Sequence, residues 1–126
     1  MPLAARREAP ASDGAIVTKA VINAAVRLGI SNRALARVLG LSEASISRMG
    51  SGSYTLAPRD KSYEVAVLFL RLFRSLDAIV GGDDTAARGW IDGENVALGG
   101  APRELIQTLS GLVDVVGYLD ARRAVV

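Results

Sequence analysis

The chain has neither cysteine nor histidine. Without thiols, disulfides and cysteine chemistry are excluded; without imidazole, the commonest general base and the commonest metal ligand are missing. No cofactor, metal site or catalytic residue is therefore expected. The lack of cysteine also fits a reducing compartment. Long apolar runs are absent too. None opens the chain in the manner of a signal peptide, and Val65 to Leu72 is far shorter than the ~20 residues a membrane span requires. A cytoplasmic protein without membrane contact is expected. Neither a convincing strand nor an internal repeat is found.

What is present is hydrophobic and helical. Half of the 126 residues are hydrophobic, enough for one ordinary domain or two very small ones with a buried core. Charge is unevenly divided. Residues 1–63 carry nine basic side chains against four acidic ones, a balance of +5, and the remainder carries six against nine, a balance of −3. Such a split fits one surface facing a polyanion and a different partner surface elsewhere, or simply two solvated faces.

Residues 1–14, with two prolines at the start, read as a flexible leader. From Ala15 to Leu28, Val17, Val21, Ala24, Ala25 and Leu28 recur at three- and four-residue steps, which predicts an amphipathic helix ended by Gly29. Ser31 caps a second helix to about Leu39, and Ser42 a short third, Glu43 to Met49, closed by Gly50 and Gly52. Arg59 to Val80 is apolar on more than one face, as suits a central helix joining two modules or one packed on a second copy of itself. A brief helix from Thr85 to Ile91 and a loop from Asp92 to Ala101 follow. Pro102 then opens a helix with Leu105 and Leu109 inward. Gly111 interrupts it where two helices cross, and a last helix, Leu112 to Arg123, aligns Val113, Val116 and Leu119. The fold class is all-α.

Leu35-Ala-Arg-Val-Leu-Gly-Leu-Ser-Glu-Ala-Ser-Ile-Ser-Arg48 sets two capped helices apart by only Gly40-Leu41, so they must cross steeply. Leu35, Leu41 and Ile46 are expected to share the core, while the start of the second helix projects outward. The stretch resembles the Xre and phage-repressor family of helix-turn-helix domains. That resemblance implies a DNA-binding and dimerisation region over residues 15–80. Glu43, Ala44 and Arg48 would face base edges, with Arg48 reading guanine. Asn32, Ser42 and Ser45 would lie at phosphates. Glu43 departs from the glutamine or basic residue usual there; a carboxylate can accept from a cytosine amine or repel the backbone.

In the acidic half, Leu98-Gly-Gly-Ala-Pro102 lacks the Gly-Lys-Ser/Thr ending of a phosphate-binding loop, and no base–nucleophile pair accompanies Asp92 and Glu94. A structural reading uses more residues: Asn95 bonds a tight turn, Leu98 anchors the loop, Gly99-Gly100 turn the chain, and Trp90 packs beneath. The spacing Trp90-x4-Asn95-x2-Leu98-Gly99-Gly100-x-Pro102-x2-Leu105-x2-Thr108-x2-Gly111-x3-Val115-x3-Leu119 resembles the C-terminal toxin-binding domain of Xre/MbcA/ParS antitoxins, assigned to residues 81–126. The resemblance implies a type II antitoxin that does no chemistry. Its expected partners are a RES-domain toxin acting on NAD, whose active-site cleft it covers, and operator DNA, bound as a homodimer within a larger complex to repress its own operon. Leu98, Gly99, Gly100 and Arg103 would shape the toxin interface, and Tyr118, Asp120, Arg122 and Arg123 would reach the toxin from the exposed side of the last helix. Charge placement at a helix C-terminus accounts for the two arginines equally well. The alternative is a stand-alone transcriptional regulator whose C-terminal half only dimerises.

Overall fold

The computed structural model describes residues 12–125, so most of the expected leader lies outside the described residues. Among the described residues seven helices follow one another: α1 Asp13–Leu28, α2 Asn32–Leu39, α3 Glu43–Ser51, α4 Lys61–Ile79, α5 Asp84–Asp92, α6 Pro102–Leu105 and α7 Leu109–Val125. No strand occurs among the described residues, only an isolated antiparallel bridge between Asn95 and Gly100. None of these helices is long and apolar enough to cross a membrane.

The first three helices start alike. Ser12, Ser31 and Ser42 each accept, through the side-chain oxygen, an otherwise unpaired N–H of the first turn at 3.1 Å (from Ala15, Ala34 and Ser45). Between α2 and α3, Gly40 adopts φ +70°, a region open to glycine at little cost. The Leu41 N–H then returns to the Ala36 carbonyl at 2.9 Å, and the chain reverses within two residues. Helix α3 runs to Ser51, past the expected end at Met49. Gly50 continues the helix, and the turn falls at Gly52, whose N–H reaches the Arg48 and Met49 carbonyls.

Helix α4 is the spine. It packs most extensively on α7 along one side and on α1, α2 and α5 along others. Ala66, Phe69, Leu72 and Leu76 are fully buried, which explains why its sequence is apolar beyond one stripe. One hydrophobic cluster runs through the whole molecule, from Leu28, Leu35 and Ile46 to Ile91, Leu112 and Leu119. The connection after α3 is tied in by a buried hydroxyl: Thr18 Oγ1 donates to the Gly14 carbonyl at 2.6 Å and accepts from the Leu56 N–H at 2.9 Å.

The C-terminal register differs from expectation. Helix α6 ends after one turn, and Ile106 rather than Leu109 is the buried residue. Thr108 caps α7 instead, accepting the Gly111 N–H on Oγ1 at 3.1 Å and the Leu112 N–H on its carbonyl at 2.9 Å. Helix α7 therefore begins at Leu109, three residues early, and Leu109 is 60% exposed. Its buried face is Leu112, Val115, Val116 and Leu119, while Val113 points outward at 49% exposure. The cause is local. Beside the Thr108 cap, Gly111 lies on the Leu105 carbonyl, where any Cβ would collide with the oxygen, so glycine is what lets the first turn of α7 sit this close to α6.

Candidate nucleic-acid interface and docking module

At the N-terminal site, α2 and α3 carry the candidate DNA-facing residues. Asn32 is exposed at the start of α2, and Ser42, Glu43, Ala44 and Arg48 are exposed on or just before α3. Ser47 shares that exposed face; its position four residues after Glu43 is the helical signal that singles it out. Ser45 lies apart from this set. It is only 9% exposed, with its hydroxyl bonded to two side chains of that face. Ser42 Oγ donates to Ser45 Oγ at 3.0 Å, and Arg48 Nη2 donates to the same oxygen at 3.3 Å. Ser45 thus links the cap of α3 to Arg48 rather than standing free beside Asn32 and Ser42. A surface of hydroxyls, an amide, a guanidinium and the free N–H groups of a helix start is chemically suited to phosphates and base edges. Glu43 puts one negative charge at its centre.

In the C-terminal module, the loop from Asn95 to Gly100 is closed by its own backbone. The N–H groups of Asn95 and Gly100 donate to each other's carbonyls at 3.1 and 3.2 Å, and Asn95 Oδ1 accepts the Leu98 N–H at 3.1 Å. Gly99 sits at φ +83° and is exposed, Gly100 lies beside Leu105, and Leu98 is half-buried. The tip instead presents Val96, 98% exposed, which nothing in the residue spacing marked out. Arg103 Nε pairs with Asp92 Oδ1 at 3.1 Å, joining the start of α6 to the end of α5. Asp92 therefore braces the base of the loop.

The expected outward row on the last helix splits. Asp120 is half-buried and tied to α4, accepting from Arg71 Nη2 at 2.7 Å and from Ser75 Oγ at 2.8 Å; its placement on the exposed side is corrected. Arg123 is exposed but donates to Ser75 Oγ at 3.4 Å. Tyr118 is half-buried and stacks on Trp90, with ring centroids 6.1 Å apart, so the stacking partner of the tryptophan is α7. Arg122 is exposed and lies over the Tyr118 ring.

A polar latch that residue spacing did not disclose joins α1 to α4 and α5. Arg27, at the end of α1, pairs with Asp77 of α4 and Asp84 of α5, both at 2.9 Å, and lies 4.7 Å from the centre of the Phe73 ring. Its hydrogen bond to Asp84 raises the Arg27 pKa and, in return, holds the Asp84 carboxyl below its ordinary value. Arg88 Nη1 also donates to the Arg27 carbonyl at 3.1 Å. Among the described residues, no group of acidic side chains is placed to hold a metal ion.

Comparison with known families matches both sites. The model described as the antitoxin Xre-like helix-turn-helix domain matches residues 8–71, and the model described as the antitoxin Xre/MbcA/ParS C-terminal toxin-binding domain matches residues 75–124. The two matches meet inside α4. No curated protein matches the chain.

Proposed function

Because the chain belongs to the Xre-like antitoxin family, with the toxin-binding domain following its helix-turn-helix, we propose that it neutralises a RES-domain toxin that consumes NAD and represses its own operon. The observation that carries this reading is the succession of two specific domain matches along one chain whose core runs unbroken through both. In the proposed division of labour, residues 15–80 bind operator DNA and dimerise, and residues 81–126 bind the toxin. The antitoxin itself performs no reaction. It acts in the cytoplasm, laying its C-terminal module over the toxin's active-site cleft so that NAD is excluded.

The proposed DNA contacts are Glu43, Ala44 and Arg48 to base edges, with Asn32 and Ser42 at phosphates and Ser45 setting the Arg48 side chain. For the toxin, the proposed contacts are the Leu98-Gly99-Gly100 loop with Arg103, and Tyr118, Arg122 and Arg123 on α7, with Asp120 fixing α7 to α4. Homodimers on a palindromic operator would match two recognition helices to two half-sites.

Co-expression with the toxin encoded beside the gene tests the reading. Growth should recover, cellular NAD should be preserved, and the two proteins should co-purify. Continued arrest with no complex, together with full operator binding, would instead establish a stand-alone regulator.

A further inference from the structure

The two arginines near the end of α7 occupy different environments. Arg123 is turned toward α4, where it donates to Ser75. Arg122 is exposed, and its polar partner among the described residues is an uncharged phenol. Its Nη1 donates to Tyr118 Oη at 3.1 Å, and its Cζ lies 5.3 Å from the Tyr118 ring centroid. Tyr118 is stacked in turn on Trp90, the planes 23° from parallel. Trp90 of α5 thus meets Tyr118 of α7, and Tyr118 in turn meets Arg122 through its hydroxyl and its ring.

This arrangement fixes a cation before any partner arrives. A surface arginine ordinarily loses rotamer freedom when it is captured by an anion. Here the four-residue helical spacing sets the phenol beneath the guanidinium, and the indole sets the phenol. Arg27, Arg71 and Arg103 each meet a carboxylate, whereas Arg122 meets none among the described residues. Asp114, on the same stripe of α7, is eight residues back, or ~12 Å along the axis. Among the described residues, nothing engages the N–H groups not facing Tyr118, and their planar edge has the fork geometry that suits a carboxylate. A phosphate suits the same fork. However, Arg122 sits ~20 Å along the helix axis from Leu109, and it is Leu109, at the other end, that shares a cleft with Arg37 and Gly40 of the helix-turn-helix.

We propose that Trp90 and Tyr118 are positioning residues that hold Arg122 as a preorganised cation for a carboxylate on the toxin, making Arg122 a determinant of partner affinity. The inference rests on the antitoxin reading above. It is tested by titrating the purified full chain with the RES-domain toxin encoded beside it, at low and high salt, with operator binding measured in parallel.

Arg122→Gln removes the charge from an exposed position. It should weaken toxin binding roughly tenfold and flatten the salt dependence, leaving the thermal midpoint and operator affinity unchanged. Arg122→Lys should not restore binding, because an ammonium lacks the planar fork. Tyr118→Leu removes the platform and should weaken binding less. Trp90 is the chain's sole tryptophan, so its emission in the free protein reports loss of the stack in that variant. Tight toxin binding by the wild type, with equal affinity for Arg122→Gln, overturns the inference and leaves the antitoxin reading intact. So does a loss confined to operator binding, which would assign the cation to DNA. If the wild-type chain does not bind the toxin, the antitoxin reading itself fails and the inference falls with it. Should Tyr118→Leu unfold, Arg122→Gln carries the test alone.

Discussion

At the scale of single residues, two glycines of α7 make opposite demands. Gly111 rests against the Leu105 carbonyl and has no room for a Cβ, whereas a Cβ at Gly117 would meet nothing within 4 Å. Gly111→Ala should therefore cost about 1–3 kcal/mol, because backbone must move to admit the methyl group. Gly117→Ala should add about 0.5–1 kcal/mol by restoring ordinary helix propensity. Chemical denaturation of both variants reads the two signs. Arg48 supplies the matching prediction for DNA. If it reads guanine through a bidentate contact, Arg48→Ala lowers operator affinity by ~1–3 kcal/mol with folding unaffected; unchanged affinity in a gel-shift titration would remove it from the contact set. Ser45 belongs to the same argument, since its hydroxyl holds Arg48 Nη2 at 3.3 Å.

At the scale of elements, the junction of α6 and α7 shows how a cap decides a register. The Thr108 hydroxyl accepts the Gly111 N–H at 3.1 Å, and that bond starts α7 at Leu109. Rotation of the helix follows: Leu112, Val115, Val116 and Leu119 turn inward, while Leu109 and Val113 turn out. Thr108→Ala should cost roughly 1 kcal/mol, the usual loss for a helix cap. Hydrogen exchange should locate the loosening in the first turn of α7, with α1 to α3 unaffected. In the N-terminal half the departures are of two residues only, α1 starting at Asp13 and α3 ending at Ser51, because each helix starts at a serine and closes at a glycine.

At the scale of the molecule, Arg27 couples the helix-turn-helix to the C-terminal module through Asp77 and Asp84. The hydrogen bond from Arg27 depresses the Asp84 pKa, so the folded chain holds fewer protons on this carboxyl than the unfolded chain. The resulting stability is fully present above the ordinary carboxylate value near 4 and is lost as pH falls through the lower folded-state value. An acid-unfolding series should show this contribution in wild type and not in Asp84→Asn, with the two curves converging at the lowest pH. Added salt should shrink the difference, because all three side chains are partly exposed.

Helix identity, the two-residue turn and the helix caps were legible in the sequence, because each depends on a few neighbouring residues: Ser31 and Ser42 at helix starts, Gly40 between helices, and apolar residues at helical steps. The excess of apolar residues between Arg59 and Val80 likewise foretold a helix buried on several sides. Residue spacing could not determine which side chains would meet across the fold. Asp120 is spaced like a surface residue, yet Arg71 and Ser75 of α4 claim it. The Ser45 hydroxyl, spaced like a phosphate ligand, also meets Ser42 and Arg48. The Trp90–Tyr118 stack and the Arg27 latch each join residues more than 25 positions apart. Local propensity and capping are properties of short stretches, so the sequence by itself determined the helices. Pairing across the chain depends on how α4, α5 and α7 are rotated and packed, so only the tertiary structure decided which charged and aromatic groups hold the fold and which remain open to a partner.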